Sequence, residues 1–264
     1  MFSIGQPKVS MSFDFDRIAD EFDATRSFDP RLIDAVAEAI RDLLGQGASV
    51  IDIGCGTGRF LLPLTRMGLS AVGIDISRKM LARAGEKGLE QLIQGDASHL
   101  PFGDREFDGA FLSSVLHLLD DWRGAVKEAC RVSRNAVIAV DPGRKRGDTP
   151  HDIFKSIMRE KGFRIPQKGP YESELRDSCP PEKCAPLAPF EETRDRKDVL
   201  AAFEKRTFTY QAELTPEENR ECIEELSKRL VGETILIGWE PALIIWNPRK
   251  LSEGIERITF CYPH

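Results

Sequence analysis

The stretch Val50-Ile51-Asp52-Ile53-Gly54-Cys55-Gly56-Thr57-Gly58-Arg59-Phe60 constrains this chain more than any other. A short β-branched run that meets three glycines and then resumes an apolar pattern reads as a strand, a tight turn and the start of a helix. Gly73-Ile74-Asp75-Ile76-Ser77 and Gly95-Asp96-Ala97 follow, each the end of an apolar strand closed by a carboxylate. A turn without Cβ atoms lets a ligand approach the backbone, and the free N–H groups of a helix N-terminus favour polar ligand atoms. Such a series suits a nucleoside whose tail lies against the turn, so a ligand with an adenosine end is the first inference.

The surrounding pattern repeats strand and helix. Strands are expected at 49–53, 71–74, 91–94, 107–113 and 136–140, with helices at 58–67, 77–86 and 122–132 between them. Alternation at this interval implies right-handed crossovers and an α/β fold, a doubly wound, mostly parallel sheet with helices on both faces. Ahead of it, Leu32, Ile33, Val36, Ala37, Ile40, Leu43 and Leu44 predict a helix started by Asp29 and Pro30 and stopped by Gly45. Phe13, Ile18, Ala19 and Phe22 among acids predict a short amphipathic segment, so residues 1–30 read as a helical cap and 31–142 as the core. After Gly143 a basic stretch (144–168) and the prolines of 180–189 mark 143–198 as an insertion or lid expected to carry the substrate segment. Residues 199–264 are expected to complete the sheet, with strands at 206–213, 243–246 and 255–261 and a helix capped by Thr215 and Pro216.

A net charge of −6 with 30% charged and 41% hydrophobic residues draws the surface as a whole toward neither nucleic acid nor anionic membrane. No apolar run approaches the roughly 20 residues that span a bilayer. Asp14, Asp16, Asp20 and Glu21 give the N-terminus no secretory pattern, so a cytoplasmic protein is expected. The six scattered cysteines fit a reducing compartment. Cys179 and Cys184, in Cys-Pro-Pro-Glu-Lys-Cys, lack a second Cys/His pair, so no metal is expected and the segment reads as a proline-rich loop.

The spacing of the glycines narrows the ligand. A nicotinamide fingerprint is Gly-x-Gly-x-x-Gly, whereas this turn is Gly54-x-Gly56-x-Gly58 with Asp52 two residues before it. A carboxylate there would repel a pyrophosphate but hold a cationic amino group. Asp75, ending the second strand, can accept both hydroxyls of a ribose, although a dinucleotide fold places an acid there too. Asp96 suits an adenine amino group, with Ile76, Ala97 and Leu100 against the ring.

The motif Asp52–Gly58, the Gly-Ile-Asp-Ile-Ser motif, Gly-Asp-Ala-x-x-Leu-Pro-Phe at 95–102 and Phe107-Asp108-x-Ala110-x-x-Ser113-x-x-x-His117 together resemble the class I S-adenosylmethionine-dependent methyltransferases. Within them the chain is most similar to the small-molecule branch that includes quinone-ring methyltransferases. Phe15-Asp16-Arg17-Ile18-Ala19-x-x-Phe22-Asp23-x-Thr25-Arg26 resembles that branch's leading helix, and the resemblance covers about residues 13–142. It implies a seven-stranded Rossmann-like sheet and S-adenosylmethionine as cofactor. It further implies that Gly54, Gly56 and Gly58 line the methionine portion, that Asp75 takes the ribose and Asp96 the adenine, and that the backbone near Ser113 contacts the amino-acid end, with Cys55 also counted among the cofactor-binding residues.

His117, after the fourth strand, is the candidate base for an oxygen or nitrogen nucleophile, because an imidazole serves both forms near neutrality; packing is its competing role. Leu112-Ser113-Ser114-Val115 stands where amino-group methyltransferases of DNA and glutamine carry Asn/Asp-Pro-Pro-Tyr, which disfavours those acceptors. A small-molecule acceptor is therefore expected. Two alternatives remain at this stage: a tRNA methyltransferase of the wobble-uridine type, which the Phe22-Asp23-x-Thr25-Arg26 motif also resembles, and a non-catalytic protein that binds the cofactor. No motif in the second half of the chain names the acceptor atom.

Overall fold

A computed structural model describes residues 14–25, 29–141, 143, 149–258 and 260. Of the residues that carry expectations above, Phe13, Arg26, Pro142, Arg144, Lys145, Arg146 and Cys261 lie outside the described residues.

Two short helices, α1 (Phe15–Ile18) and α2 (Phe22–Thr25), precede α3 (Pro30–Leu44). Asp29 starts α3 as expected, its carboxylate accepting from the Arg31 N–H at 2.8 Å, and Gly45 ends it at φ +98°. The alternating unit follows: β1 (Ser49–Ile53), α4 (Leu61–Arg66), β2 (Ser70–Asp75), α5 (Arg78–Glu86), β3 (Leu92–Gln94), β4 (Phe107–Leu112), α6 (Trp122–Val132) and β5 (Ser133–Asp141). Helices α7 (Pro150–Glu160) and α8 (Glu172–Ser178) lead to strands β6 (Lys183–Pro186) and β7 (Phe190–Asp195). The chain closes through α9 (Arg196–Glu204), α10 (Pro216–Arg229), β8 (Thr234–Trp239), β9 (Ala242–Trp246) and α11 (Pro248–Ile255).

The main sheet has seven strands in the order β3-β2-β1-β4-β5-β9-β6, matching the expected count and class. Strands β1 to β5 are mutually parallel, β9 runs antiparallel to β5, and β6 runs antiparallel to β9. Strand order reverses between β1 and β4, and in such sheets the crevice beyond the carboxyl ends of the strands at the reversal is where ligands bind. Side chains alternate across the sheet with the two-residue period of a strand. Ile51, Ile53, Val137 and Ala139 face one core with Val126 of α6 and Leu251 of α11, whereas Val50, Ile138 and Val140 face another with Ile40 of α3 and Leu64 of α4.

A third apolar cluster stands apart from the sheet. Phe154, Ile157 and Met158 of α7 pack with Val199 and Phe203 of α9 and with Cys222 and Leu226 of α10. Strands β7 and β8 form a separate two-stranded antiparallel sheet.

Three expectations are corrected. Residues 206–213 are not a strand but a loop with a 3₁₀ turn at Thr209–Gln211. Their alternation arises because Phe208 and Tyr210 fill the α7/α9/α10 cluster, while the fully buried Gln211 amide bonds to the Phe203 carbonyl at 2.9 Å and to Asn219 at 2.7 Å. Residues 255–258 are the end of α11 and a turn rather than a strand, with Asn247 capping the helix and Pro248 in its first turn. The proline-rich stretch contains β6, whose Pro186 is tolerated because this is an edge strand.

Candidate active site

The β1 chain leaves the sheet through Gly54-Cys55-Gly56-Thr57-Gly58, with φ of +75° at Gly54 and +56° at Gly56. A Cβ on Gly54 would lie 2.5 Å from Val115 Cγ2, so the turn sits directly against the loop that follows β4. We expect Gly54→Ala to lower the melting temperature by several degrees, from left-handed backbone strain and overpacking of about 1–3 kcal/mol each. The control is Gly56→Ala, where a Cβ meets no atom within 4 Å and only the backbone term applies. Equal melting temperatures for the two variants would remove the packing argument.

One cavity of about 370 Å³ opens beside this turn at the carboxyl ends of β1, β2 and β4. Asp52, Gly54, Cys55, Gly56, Asp75, Ile76, Asp96, Ala97, Ser113 and His117 all line it, so ten residues singled out from sequence converge on one space. Gly58 does not line it. A Cβ there would collide with Leu89 and come within 3.3 Å of Ala84 Cβ, so this glycine allows α5 to approach the turn. Leu100 is also absent from the wall and packs instead in the sheet core.

The three acids differ in environment. Asp75 accepts the Gly56 N–H and the Ser77 N–H, each at 2.8 Å, which fixes its carboxylate beneath the glycine turn. Burial still raises its pKa, against the opposing effect of those N–H groups. Asp52 is only 3% exposed, and burial followed by the neighbouring Asp75 charge pushes its pKa up to about 8. Asp96 lies just beyond β3, where Oδ1 accepts from the Ser98 N–H and hydroxyl, both at 2.8 Å.

The N-terminal helices are tied to the turn by polar contacts. Asp23 accepts from the Thr57 hydroxyl at 2.6 Å and pairs with Lys87 at 2.5 Å, while Asp16 accepts from the Ser77 hydroxyl at 2.5 Å. These contacts draw α1 and α2 over the cavity, where Phe15 and Phe22 join its wall.

Past His117 the wall is built from segments that carry no sequence motif. His117 lies in a 3₁₀ turn at Leu116–Leu118, and its ring stacks on Tyr171 with centroids 4.4 Å apart. Glu172, the next residue, is buried and accepts the Val115 N–H at 3.1 Å, thereby pinning the loop after β4 to the start of α8. Burial pushes its pKa up to about 7. From α7 come His151 and Lys155, one turn apart; from β7 and β8 come Phe190 and Trp239, stacked at 6.2 Å, and the Glu192–Arg194 ion pair at 3.0 Å. Arg59, within the glycine segment, also lines the cavity, where burial lowers its pKa to about 10. The one sequence signal for this half was the spacing of His151 and Lys155 beside an apolar Phe154/Ile157/Met158 stripe.

Cys179 is buried, its carbonyl accepting the Trp246 indole N–H at 2.7 Å, and Cys184 is exposed on β6. Among the described residues no helix is long and apolar enough to cross a membrane.

Residues 51–140 match the model of a family described as a methyltransferase domain. The chain is 33% identical over 125 residues to a demethylmenaquinone methyltransferase of Mycobacterium bovis, an alignment covering 46% of this chain and 52% of that protein. It spans about half the length of the curated relatives it matches. Among solved structures, the YcgJ protein of Bacillus subtilis superposes with a TM-score of 0.51 at 19% identity, covering 80% of this chain and 96% of that one. The SpnF [4+2]-cyclase superposes at 0.50 and 16% identity, covering 86% of this chain and 93% of that one. These two likenesses establish the Rossmann-like methyltransferase fold, a scaffold on which chemistry is set by the site.

Proposed function

We propose, from the premise that residues 51–140 belong to the class I S-adenosylmethionine-dependent methyltransferases, that this chain transfers a methyl group from S-adenosylmethionine to a small-molecule acceptor. The observation that carries the reading is the meeting of Asp52, Asp75 and Asp96 with the Gly54–Gly56 turn on one cavity. The residues fit the cofactor. Open space beside Gly56 admits a ligand to the backbone, and a buried Asp52 carboxyl suits a cationic amino group.

In this assignment Asp75 binds the ribose, Asp96 the adenine amino group, and Ile76 with Ala97 the faces of the ring. Asp52, Gly54, Cys55, Gly56 and Ser113 surround the amino-acid end. When bound, S-adenosylmethionine supplies an electrophilic methyl group on a sulfonium whose charge disappears on transfer. The protein has to align the acceptor with that methyl and exclude water. In this reading the described residues of 31–141 hold the cofactor, α1 and α2 cap it, and those of 149–258 supply the acceptor wall and complete the sheet. The free thiols of the described cysteines suit a cytoplasmic setting.

Ion pairing within the basic stretch supports a small acceptor over tRNA. Lys161 pairs with Glu221 at 3.0 Å and Lys168 with Asp120 at 2.6 Å, while Arg164 lies 3.8 Å from Glu213, so these charges are matched within the chain. The deciding experiment incubates the protein with extract metabolites and methyl-labelled S-adenosylmethionine, then follows S-adenosylhomocysteine and labelled product by mass spectrometry. Tight cofactor binding without turnover on any acceptor would favour a non-catalytic binding protein. Labelled tRNA, bound with a steep salt dependence, would favour the nucleic-acid alternative.

His117 is assigned as the base that takes the acceptor's proton, its ring plane held by Tyr171. His117→Ala is expected to keep cofactor affinity, to lower kcat about 100-fold, and to flatten the acidic limb of the rate profile. Unchanged kcat would end that role.

A further inference from the structure

The acceptor end of the cavity carries a cation that the cofactor assignment leaves unused. Lys155 projects from α7 into the wall, where Nζ donates to Tyr171 Oη at 3.1 Å. The same Nζ lies 5.1 Å from the ring centroids of both Tyr171 and Tyr210. Tyr210 is itself held by His151, whose Nδ1 is 2.5 Å from the phenol oxygen.

Among the described residues no carboxylate lies within 4.0 Å of Lys155 Nζ. Asp152 and Glu174 act on it only at longer range, and Arg159 opposes them. Burial lowers the pKa of the ammonium, the direction for a cation kept from water without a contacting counter-charge. Of the other cations lining the cavity, Arg194 is matched by Glu192 at 3.0 Å and Arg59 lies beside the glycine turn over the Phe22 ring. The unneutralised charge facing the acceptor space is therefore positive. An ammonium has three donors, and one is used on Tyr171. Tyr171 and Tyr210 flank it, and the same cavity wall carries the stacked Phe190–Trp239 pair and Ile237 on the small sheet.

We propose that the methyl acceptor is an anion, a flat apolar body bearing a carboxylate that Lys155 receives while the aromatic wall takes the rest. The proposal rests on the methyltransferase reading for the word acceptor alone; the anion site stands on Lys155 and its surroundings. Two oxygens meet the two remaining ammonium donors, and a charge-assisted hydrogen bond in a sheltered cavity is stronger than a neutral one. Because the His117 ring stacks on Tyr171 and the Tyr171 hydroxyl accepts from Lys155, the anion is held one aromatic side chain away from the assigned base.

The test uses the full chain and three probes: 1-naphthoate, its neutral isostere 1-naphthamide, and 1-naphthol, each titrated by tryptophan fluorescence and by calorimetry. Naphthoate is expected to bind at least 10-fold more tightly than naphthamide. A naphthol affinity that matches naphthoate only above the naphthol pKa would reassign the anion from carboxylate to ionised hydroxyl. Lys155→Met should abolish the preference for naphthoate and Lys155→Arg should keep most of it, with wild-type S-adenosylmethionine affinity and melting temperature in both. Equal binding of naphthoate and naphthamide, no saturable naphthoate binding, or an unchanged preference in Lys155→Met overturns the proposal. Loss of S-adenosylmethionine binding by the wild-type protein with the naphthoate preference intact would instead defeat the methyltransferase reading and leave the anion site standing.

Discussion

Replacing Asp75 by alanine is expected to weaken S-adenosylmethionine binding about 100-fold or more. Two hydrogen bonds from ribose hydroxyls to a charged acceptor are worth roughly 1.5–3 kcal/mol each, and 1.4 kcal/mol is a factor of ten in affinity. The Gly56 and Ser77 N–H groups each engage one oxygen of this carboxylate, which has approximately four lone-pair sites, so acceptor capacity is left for the ribose. The alanine variant also strips those two N–H groups of their partner, so part of the loss comes from a loosened turn. Asp75→Asn separates the contributions, since its amide oxygen still serves one backbone N–H while the charge is gone. Calorimetric titration of both variants beside their melting curves provides the check; wild-type affinity in Asp75→Ala would reject the ribose assignment.

Binding of S-adenosylmethionine at pH 7 is expected to release close to one proton, and the Asp52→Asn variant is expected to release none. In the ligand-free protein burial places the Asp52 pKa at about 8, so its carboxyl is mostly protonated at neutrality. A cationic amino group beside it favours the ionised form and draws the proton off. Affinity should then rise nearly tenfold per pH unit below about 8 and level above it. Stability runs the other way. A folded-state pKa raised above the ordinary carboxylate value of 3.8 means that the contribution of Asp52 is fully present below that value and is lost as pH rises toward 8. The free protein should therefore melt at lower temperature as pH climbs through this window, less steeply in Asp52→Asn. Calorimetry in buffers of different ionisation enthalpy measures the proton directly, and a heat independent of buffer would show that Asp52 does not meet the cation.

The convergence of the strand-end motifs on one cavity was legible because each motif is short and local. Residues 52–58, 75–76, 96–97 and 113–117 each occupy the end of a parallel strand, and adjacent parallel strands bring their carboxyl ends together whatever lies between them. Gly58 lies off the cavity wall, and in sequence a glycine needed for helix approach looks like a glycine needed for ligand approach; the neighbouring Leu89 marks the difference. The rest of the wall was not legible, since Lys155, Tyr171, Phe190, Tyr210 and Trp239 come from five separate segments joined by long-range packing. Strand β7 reads as a charged loop, Phe-Glu-Glu-Thr-Arg-Asp, and becomes a strand only through pairing with β8 nearly forty residues later. The alternating Arg206–Glu213 stretch failed in the opposite sense: period two was present, but its aromatic residues serve a helical cluster.

Helix α7 has a consequence for how such a protein changes over generations. One face sends Phe154, Ile157 and Met158 into the cluster shared with α9 and α10, and the adjoining face sends His151 and Lys155 to the cavity. Folding of the α7/α9/α10 cluster depends on the first set and recognition of the guest on the second. Substitutions at Lys155 can therefore retune which molecule is accepted while the apolar face keeps the helix in place, whereas His151, whose ring packs on Phe203 and Phe208 and meets the Tyr210 hydroxyl, ties the cavity to the cluster.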